Sequence, residues 1–146
     1  MKFSVLTTIL YTAAATFAAP ALPPPVAHIT YSAFYDDPST ALSTVACSNG
    51  PNGLMLHGYT TFGSLPSFPH IAAYQDAIWN SPQCGTCWEL TLGNTSIYVQ
   101  AIDYIGSGFS IGTGMMNVLT NNRSIPPVGR VEVEYEQQPV ELCEMA

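Results

Sequence analysis

From Val128 to Glu136 the chain alternates with period two. Val131, Val133 and Tyr135 fall on one side, and Glu132, Glu134 and Glu136 on the other. That pattern predicts a half-buried strand with a wet acidic face, so the glutamate run needs no catalytic explanation. Cys87 to Leu92 and Ser96 to Ile102 are two further β-rich runs, and Gly93-Asn94 between them reads as a hairpin turn. Ile29 to Tyr35 is rich in β-formers and predicts another strand. Three stretches predict short helices. Pro38 to Thr44 has Asp37 as N-cap and Pro38 in its first turn. Ile71 to Ile78 is the second, and Ser110 to Leu119, weakened by Gly112 and Gly114, is the third. Ser48 to Gly53 and Gly106 to Gly108 are turn and loop chemistry, while Gly58 to Pro69 shows no clear period. Short strands, short helices and long loops predict one β-rich domain, a small barrel with helical insertions and no internal repeat.

The N-terminus has a different character. Lys2 precedes an uncharged apolar stretch, Phe3 to Ala18, too short for a comfortable membrane span and rich in small residues at its end. Residues 1–18 therefore read as a secretory signal, with cleavage after Ala18, or alternatively after Ala21. Residues 19–27 contain Pro20 and Pro23-Pro24-Pro25 and read as an extended linker. The domain proper is expected at 28–146. No other stretch is long and apolar enough to span a membrane, so the mature chain is expected to be extracellular or in the cell wall, without membrane insertion.

Charge narrows the partners. The 146 residues hold ten Asp+Glu against three Lys+Arg, and the single lysine lies in the signal. The mature chain, with only Arg123 and Arg130 as fixed cations, carries about −8 at neutral pH. Nucleic acid and anionic membrane surfaces both require basic side chains and are excluded as partners. A neutral glycan suits such a surface better than an anionic one.

Four cysteines, Cys47, Cys84, Cys87 and Cys143, follow the signal. In an oxidising compartment their even number predicts two disulfides, with three possible connectivities. Cys84-Gly85-Thr86-Cys87 also has the spacing of a redox pair. A four-thiolate zinc site would need a second close pair, which Cys47 and Cys143 do not form. Two N-glycosylation sequons are present, Asn94-Thr95-Ser96 and Asn122-Arg123-Ser124.

The candidate chemistry is limited. A glycosidase usually needs two carboxyls, one with a raised pKa. The candidates are Asp36, Asp37, Asp76, Glu89 and Asp103. Asp36 and Asp37 are better explained by helix capping. Asp103 stands out, because it ends an apolar run and precedes Tyr104 and a glycine-rich loop. It has no obvious second acid. No G-x-S-x-G elbow, Walker loop or dinucleotide glycine motif occurs, and His28, His57 and His70 are isolated. No catalytic residue, metal site or cofactor is expected. Aromatic rings beside Asn, Ser and Asp are the alternative, since rings stack on sugar faces while polar groups fix the hydroxyls. Trp79-Asn80-Ser81 has this character, whereas Trp88, inside a strand, reads as core.

Several blocks then coincide: Tyr35-Asp36-Asp37-Pro38, Val45-Ala46-Cys47-Ser48-Asn49-Gly50, Asn52-Gly53-Leu54-Met55 and Phe68-Pro69. Trp79-Asn80-Ser81-Pro82-Gln83-Cys84-Gly85-Thr86-Cys87-Trp88, Ile97-Tyr98-Val99, Ala101-Ile102-Asp103, Gly108-Phe109-Ser110-Ile111 and Val128-Gly129-Arg130-Val131 follow. Together, from about Ile29 to Cys143, they resemble the cerato-platanin family of small secreted fungal proteins. The resemblance implies a six-stranded double-psi β-barrel, related to the expansin barrel domain, with disulfides Cys47–Cys84 and Cys87–Cys143. It implies a non-catalytic protein that binds chitin oligosaccharides or cellulose, loosens walls as expansins do, and elicits plant defence, with a plant receptor as a further partner. Asp103 matches the acidic residue of the family's sugar groove, and Asn80 and Ser81 match the turn near it. Tyr35, Trp79 and Tyr104 are the candidate stacking faces. Many members carry an Asp in the helix after Gly-Phe-Asn. Here Ile111-Gly112-Thr113-Gly114-Met115-Met116-Asn117 has none, and Asn117 remains as a polar candidate. The competing readings are a weak glycoside hydrolase or lytic protein using Asp103, and an elicitor recognised by a receptor without sugar binding.

Overall fold

A computed structural model describes residues 22–123 and 129–144. The expected signal and its expected cleavage sites, Val128 and the sequon serine Ser124 lie outside the described residues.

Six strands close into a barrel in the order β1-β5-β2-β4-β3-β6. They are β1 (Val26–Tyr31), β2 (Ile71–Tyr74), β3 (Cys87–Leu92), β4 (Thr95–Tyr104), β5 (Phe109–Ile111) and β6 (Val131–Gln138). The pairs β1–β5 and β2–β4 are parallel and the other four are antiparallel. This is the double-psi barrel expected from the resemblance. Closure pairs each of these six strands on both sides, so the described sheet has no open edge strand.

The hairpin is as expected, with Leu92 facing Thr95 across a two-residue turn. In β6, Val133 is buried, Val131 and Tyr135 are half-buried, and Glu132, Glu134 and Glu136 are exposed, so the alternation read from the sequence holds. Tyr74, Trp88, Phe109 and Tyr135 form one aromatic cluster, with Tyr74 and Phe109 stacked at 4.6 Å between centroids. Trp88 is core, 7% exposed.

Four expectations are corrected. Residues 71–78 are not a helix: Ile71 to Tyr74 is a strand, and all four residues are buried. It is clasped between β4 and β5 with both faces covered, so no alternation marks it as a strand. The helix expected over Ser110–Leu119 begins only at Thr113 (α1, Thr113–Leu119), because Phe109–Ile111 is drawn into the barrel between β1 and β2. The Pro38–Thr44 helix is reduced to a 3-10 turn, Leu42–Thr44. Asp37 instead accepts from the amide and hydroxyl of Ser39, at 2.9 and 2.7 Å. The backbone of 38–42 pairs across to 60–63, through Gly63 N–H to Pro38 O, Phe62 N–H to Thr40 O and Leu42 N–H to Thr60 O. The first strand is Val26–Tyr31 rather than Ile29–Tyr35. It starts inside the expected linker, and Ser32 then caps a 3-10 helix, Ala33–Asp36.

Both disulfides form as implied, Cys47–Cys84 and Cys87–Cys143, spanning 37 and 56 residues. The second ties a short terminal helix, α2 (Glu141–Glu144), to the first residue of β3. The chain-entropy model credits each bridge with about 4 kcal/mol as an upper guide.

Candidate functional site

The sequence of β4 alone would not point Asp103 outward. Ile97, Val99 and Ala101 are buried at alternate positions, and strict period two would carry Asp103 to the same inner face. The register against β2 breaks, however. Ala72 faces Ala101 and Ala73 faces Asp103, which makes Ile102 the extra residue. This bulge buries Ile102 beside Ala101 and delivers Asp103 to a half-buried position.

Among the described residues the Asp103 carboxylate is held by three donors. Oδ2 accepts from the Tyr35 hydroxyl at 3.0 Å. Oδ1 accepts from the amides of Ala46 (3.0 Å) and Tyr104 (2.8 Å). A carboxylate offers about four acceptor positions, so about one remains for a ligand. Tyr35 is 7% exposed, and its ring packs near Phe34 and Phe62. It therefore positions Asp103 and offers no stacking face. Burial, and then the adjacent Asp103 charge, push the Tyr35 phenol well above its usual value.

Trp79 and Tyr104 do present rings, 62% and 49% exposed. The Trp79 indole N–H donates to Asn49 Oδ1 at 2.7 Å, which fixes the ring's orientation. Asn80 takes the left-handed conformation (φ 59) and is bound to Asn52 twice: its Oδ1 accepts from the Asn52 amide at 3.0 Å, and its carbonyl accepts from the Asn52 side chain at 2.9 Å. A Cβ on Gly50 would stand 3.0 Å from that Oδ1. The Ser81 hydroxyl donates to Asp76 O (2.7 Å) and accepts from the Gln83 amide (3.0 Å), and the residue is buried. Asn80 and Ser81 thus shape the loop that carries Trp79. The Cys47–Cys84 bridge joins this loop to 46–53. Ala46 meets Asp103 and Asn49 meets Trp79, so at most about 11 Å of backbone separates the two attachment points.

Asn117 is exposed on α1, which packs against β4 and the Ala33–Asp36 turn. Asp36 does cap a helix, but a distant one. Its Oδ2 and Oδ1 accept from the Thr113 and Gly114 amides, at 2.9 and 3.1 Å, at the start of α1. Gly112 makes this approach possible, since a Cβ there would lie 2.5 Å from Asp36 Oδ1. The glycines that weaken α1 in isolation make room for its cap.

The other candidate acids are engaged elsewhere. Asp76 accepts from Tyr74 at 2.9 Å, and Glu89 accepts from Gln138 at 2.9 Å. No group of three or more His, Cys, Asp or Glu among the described residues is placed to hold a metal ion. One feature was missed in the sequence: residues 38–75 contain no Asp, Glu, Lys or Arg, although the signal was available by simple inspection. This neutral segment includes the Cys47 loop and leads directly into Asp76 and the Trp79 turn.

The family model described as Cerato-platanin matches residues 27–145. The chain belongs to the cerato-platanin family. It is 44% identical over 147 aligned residues to the heat-stable 19 kDa antigen of Coccidioides immitis (strain RS), covering 98% of each chain. The crystal structure of cerato-platanin 1 from M. perniciosa superposes with a TM-score of 0.73 at 40% identity, covering 80% of this chain and 98% of that one. The solution structure of the fungal elicitor Cerato-Platanin gives 0.71 at 36% identity, covering 81% and 97%. Among the described residues no helix is long and apolar enough to cross a membrane.

Proposed function

We propose that this cerato-platanin is a secreted, non-catalytic protein that binds a neutral β-linked glycan, chitin oligosaccharide or cellulose, across the Asp103–Trp79 surface. The observation that carries this reading is the pairing of a fixed acceptor with a fixed ring. Asp103 retains one acceptor position, and Trp79 stands exposed with its indole N–H anchored, on either side of the disulfide-tied 46–49 segment. A sugar hydroxyl or N-acetyl amide would donate to Asp103, and a pyranose face would lie on Trp79 or Tyr104. Among the described residues the Asp103 carboxylate accepts only from the Tyr35 hydroxyl and two backbone amides, and the other candidate acids serve as structural acceptors. That arrangement suits holding a glycan better than cutting it. Wall loosening would follow from competition for hydrogen bonds between polymer chains.

The test is a titration of the 15N-labelled mature protein with chitin tetramer and with cellotetraose, with the sugar signals followed in the same tube. Amide shifts at Asp103, Tyr104 and Trp79 with intact sugar are expected. Shortened sugar would establish hydrolysis, and shifts confined to another face would remove the proposed site.

A second reading is supported by kinship with the structure described as a fungal elicitor. The protein would trigger plant defence through a surface receptor. An Asp103→Asn variant that loses sugar binding but still induces defence would separate receptor recognition from glycan binding.

A further inference from the structure

We propose that Asn94 is an N-glycosylation site, and that its glycan stands at the opposite end of the barrel from the Asp103–Trp79 surface. This rests on the reading of the chain as secreted. The sequon Asn94-Thr95-Ser96 spans the β3–β4 turn. In the transfer, the Asn94 side-chain nitrogen forms a bond to the anomeric carbon of an oligosaccharide carried on a lipid diphosphate. The sugar–phosphate C–O bond breaks, the lipid diphosphate leaves and the nitrogen loses one proton. Acceptor and donor meet in the secretory route that the proposed secretion implies.

The folded protein accommodates the product without rearrangement. Gly93 and Asn94 are exposed, and a Cβ built on Gly93 meets nothing within 4 Å. Gly93 has φ 62, which places glycine at the first position of a two-residue turn, where positive φ is required. The strand pairing is completed on either side, by Leu92 with Thr95 and Thr91 with Ser96, so the turn side chain is free of the ladder. The Ser96 hydroxyl is also at the surface, 2.7 Å from that of Thr91. From Asn94 to Asp103 the chain runs the length of β4, nine steps or about 30 Å at the usual strand rise. Asn122 differs: its φ is 57 and its amide closes the end of α1 on Asn117 O at 2.8 Å.

The full chain, with its own leader, is expressed in a secreting yeast and the medium protein is measured by intact mass before and after peptide-N-glycosidase F. A hexose-spaced mass series should collapse to the peptide mass, with Asn94 converted to Asp. Asn94→Gln and Ser96→Ala should each abolish the Asn94 glycan, while Asn122→Gln and Ser96→Thr should retain it. Chitin tetramer affinity should change less than twofold on deglycosylation. An unmodified Asn94 in protein from the medium overturns the proposal while leaving secretion intact. Protein held in the cell with its leader uncleaved overturns secretion and the proposal together. An affinity gain above fivefold on deglycosylation overturns the opposite-end placement.

Discussion

Asp103→Ala should destabilise the protein far more than Asp103→Asn. Truncation to alanine removes the acceptor for three donors: the Tyr35 hydroxyl, the Ala46 amide and the Tyr104 amide. The Tyr104 amide is exposed and can turn to water. The Tyr35 hydroxyl belongs to a buried residue, and the Ala46 amide is partly buried. An orphaned buried donor costs about 1–3 kcal/mol, and water entering a half-open site keeps each of these two near the low end. The expected loss is about 2–3 kcal/mol for alanine. Asparagine has the same shape: its oxygen can face the two amides, and its NH2 can donate to a Tyr35 hydroxyl rotated to accept. A loss of about 1 kcal/mol follows. Urea unfolding followed by tryptophan fluorescence reads both variants as midpoint shifts at constant slope. A double-mutant cycle of Asp103→Asn with Tyr35→Phe should return a coupling of about 1 kcal/mol, since the residues touch. Asparagine also turns the remaining outward group from acceptor to donor, so sugar affinity should fall about tenfold with the fold intact, equivalent to about 1.4 kcal/mol. Equal stability of the alanine and asparagine variants, with no coupling to Tyr35, would refute the view that this carboxylate organises the surface.

Other consequences follow from the same geometry. The Tyr35 and Tyr74 phenols are both raised above the usual value near 10, chiefly by burial, so the unfolded chain loses these protons first on alkaline titration. Their contribution to stability should be complete below pH 10 and should decline above it. Urea midpoints from pH 8 to 12 would test this, and Tyr35→Phe should shallow the decline. Asp36→Ala should cost about 1–2 kcal/mol through loss of the α1 cap, read by thermal unfolding. Gly112→Ala should match or exceed that loss, because its Cβ displaces the same carboxylate. Replacing Cys47 and Cys84 by serine should cost up to about 4 kcal/mol and weaken sugar binding, measured by calorimetry, because the Trp79 loop loses its tie to 46–53.

Much of the fold was legible along the chain, and the reason is local. The β3–β4 hairpin and β6 have one wet face and short-range turns, so periodicity reports them directly. Strands β2 and β5 were not legible as strands, because every residue in them is buried and nothing alternates. The 38–44 segment was misread because its hydrogen bonds go to 60–63, a choice that local propensity does not contain.

The sequence by itself determined that the protein is acidic, has Lys2 as its single lysine, can form two disulfides and carries Asp103 ahead of a loop. Its motif blocks also carried the family and the disulfide pairing. Only the tertiary structure decided what the individual residues do. The bulge at Ile102 turned Asp103 outward, and burial made Tyr35 its positioning partner. Ser81 was consumed within its own turn, whereas Trp79 was left exposed and anchored to Asn49. Asp36 and Gly112 met at the start of α1 although 76 positions separate them in the chain. These outcomes depend on contacts between distant segments, whereas periodicity and propensity register only neighbours.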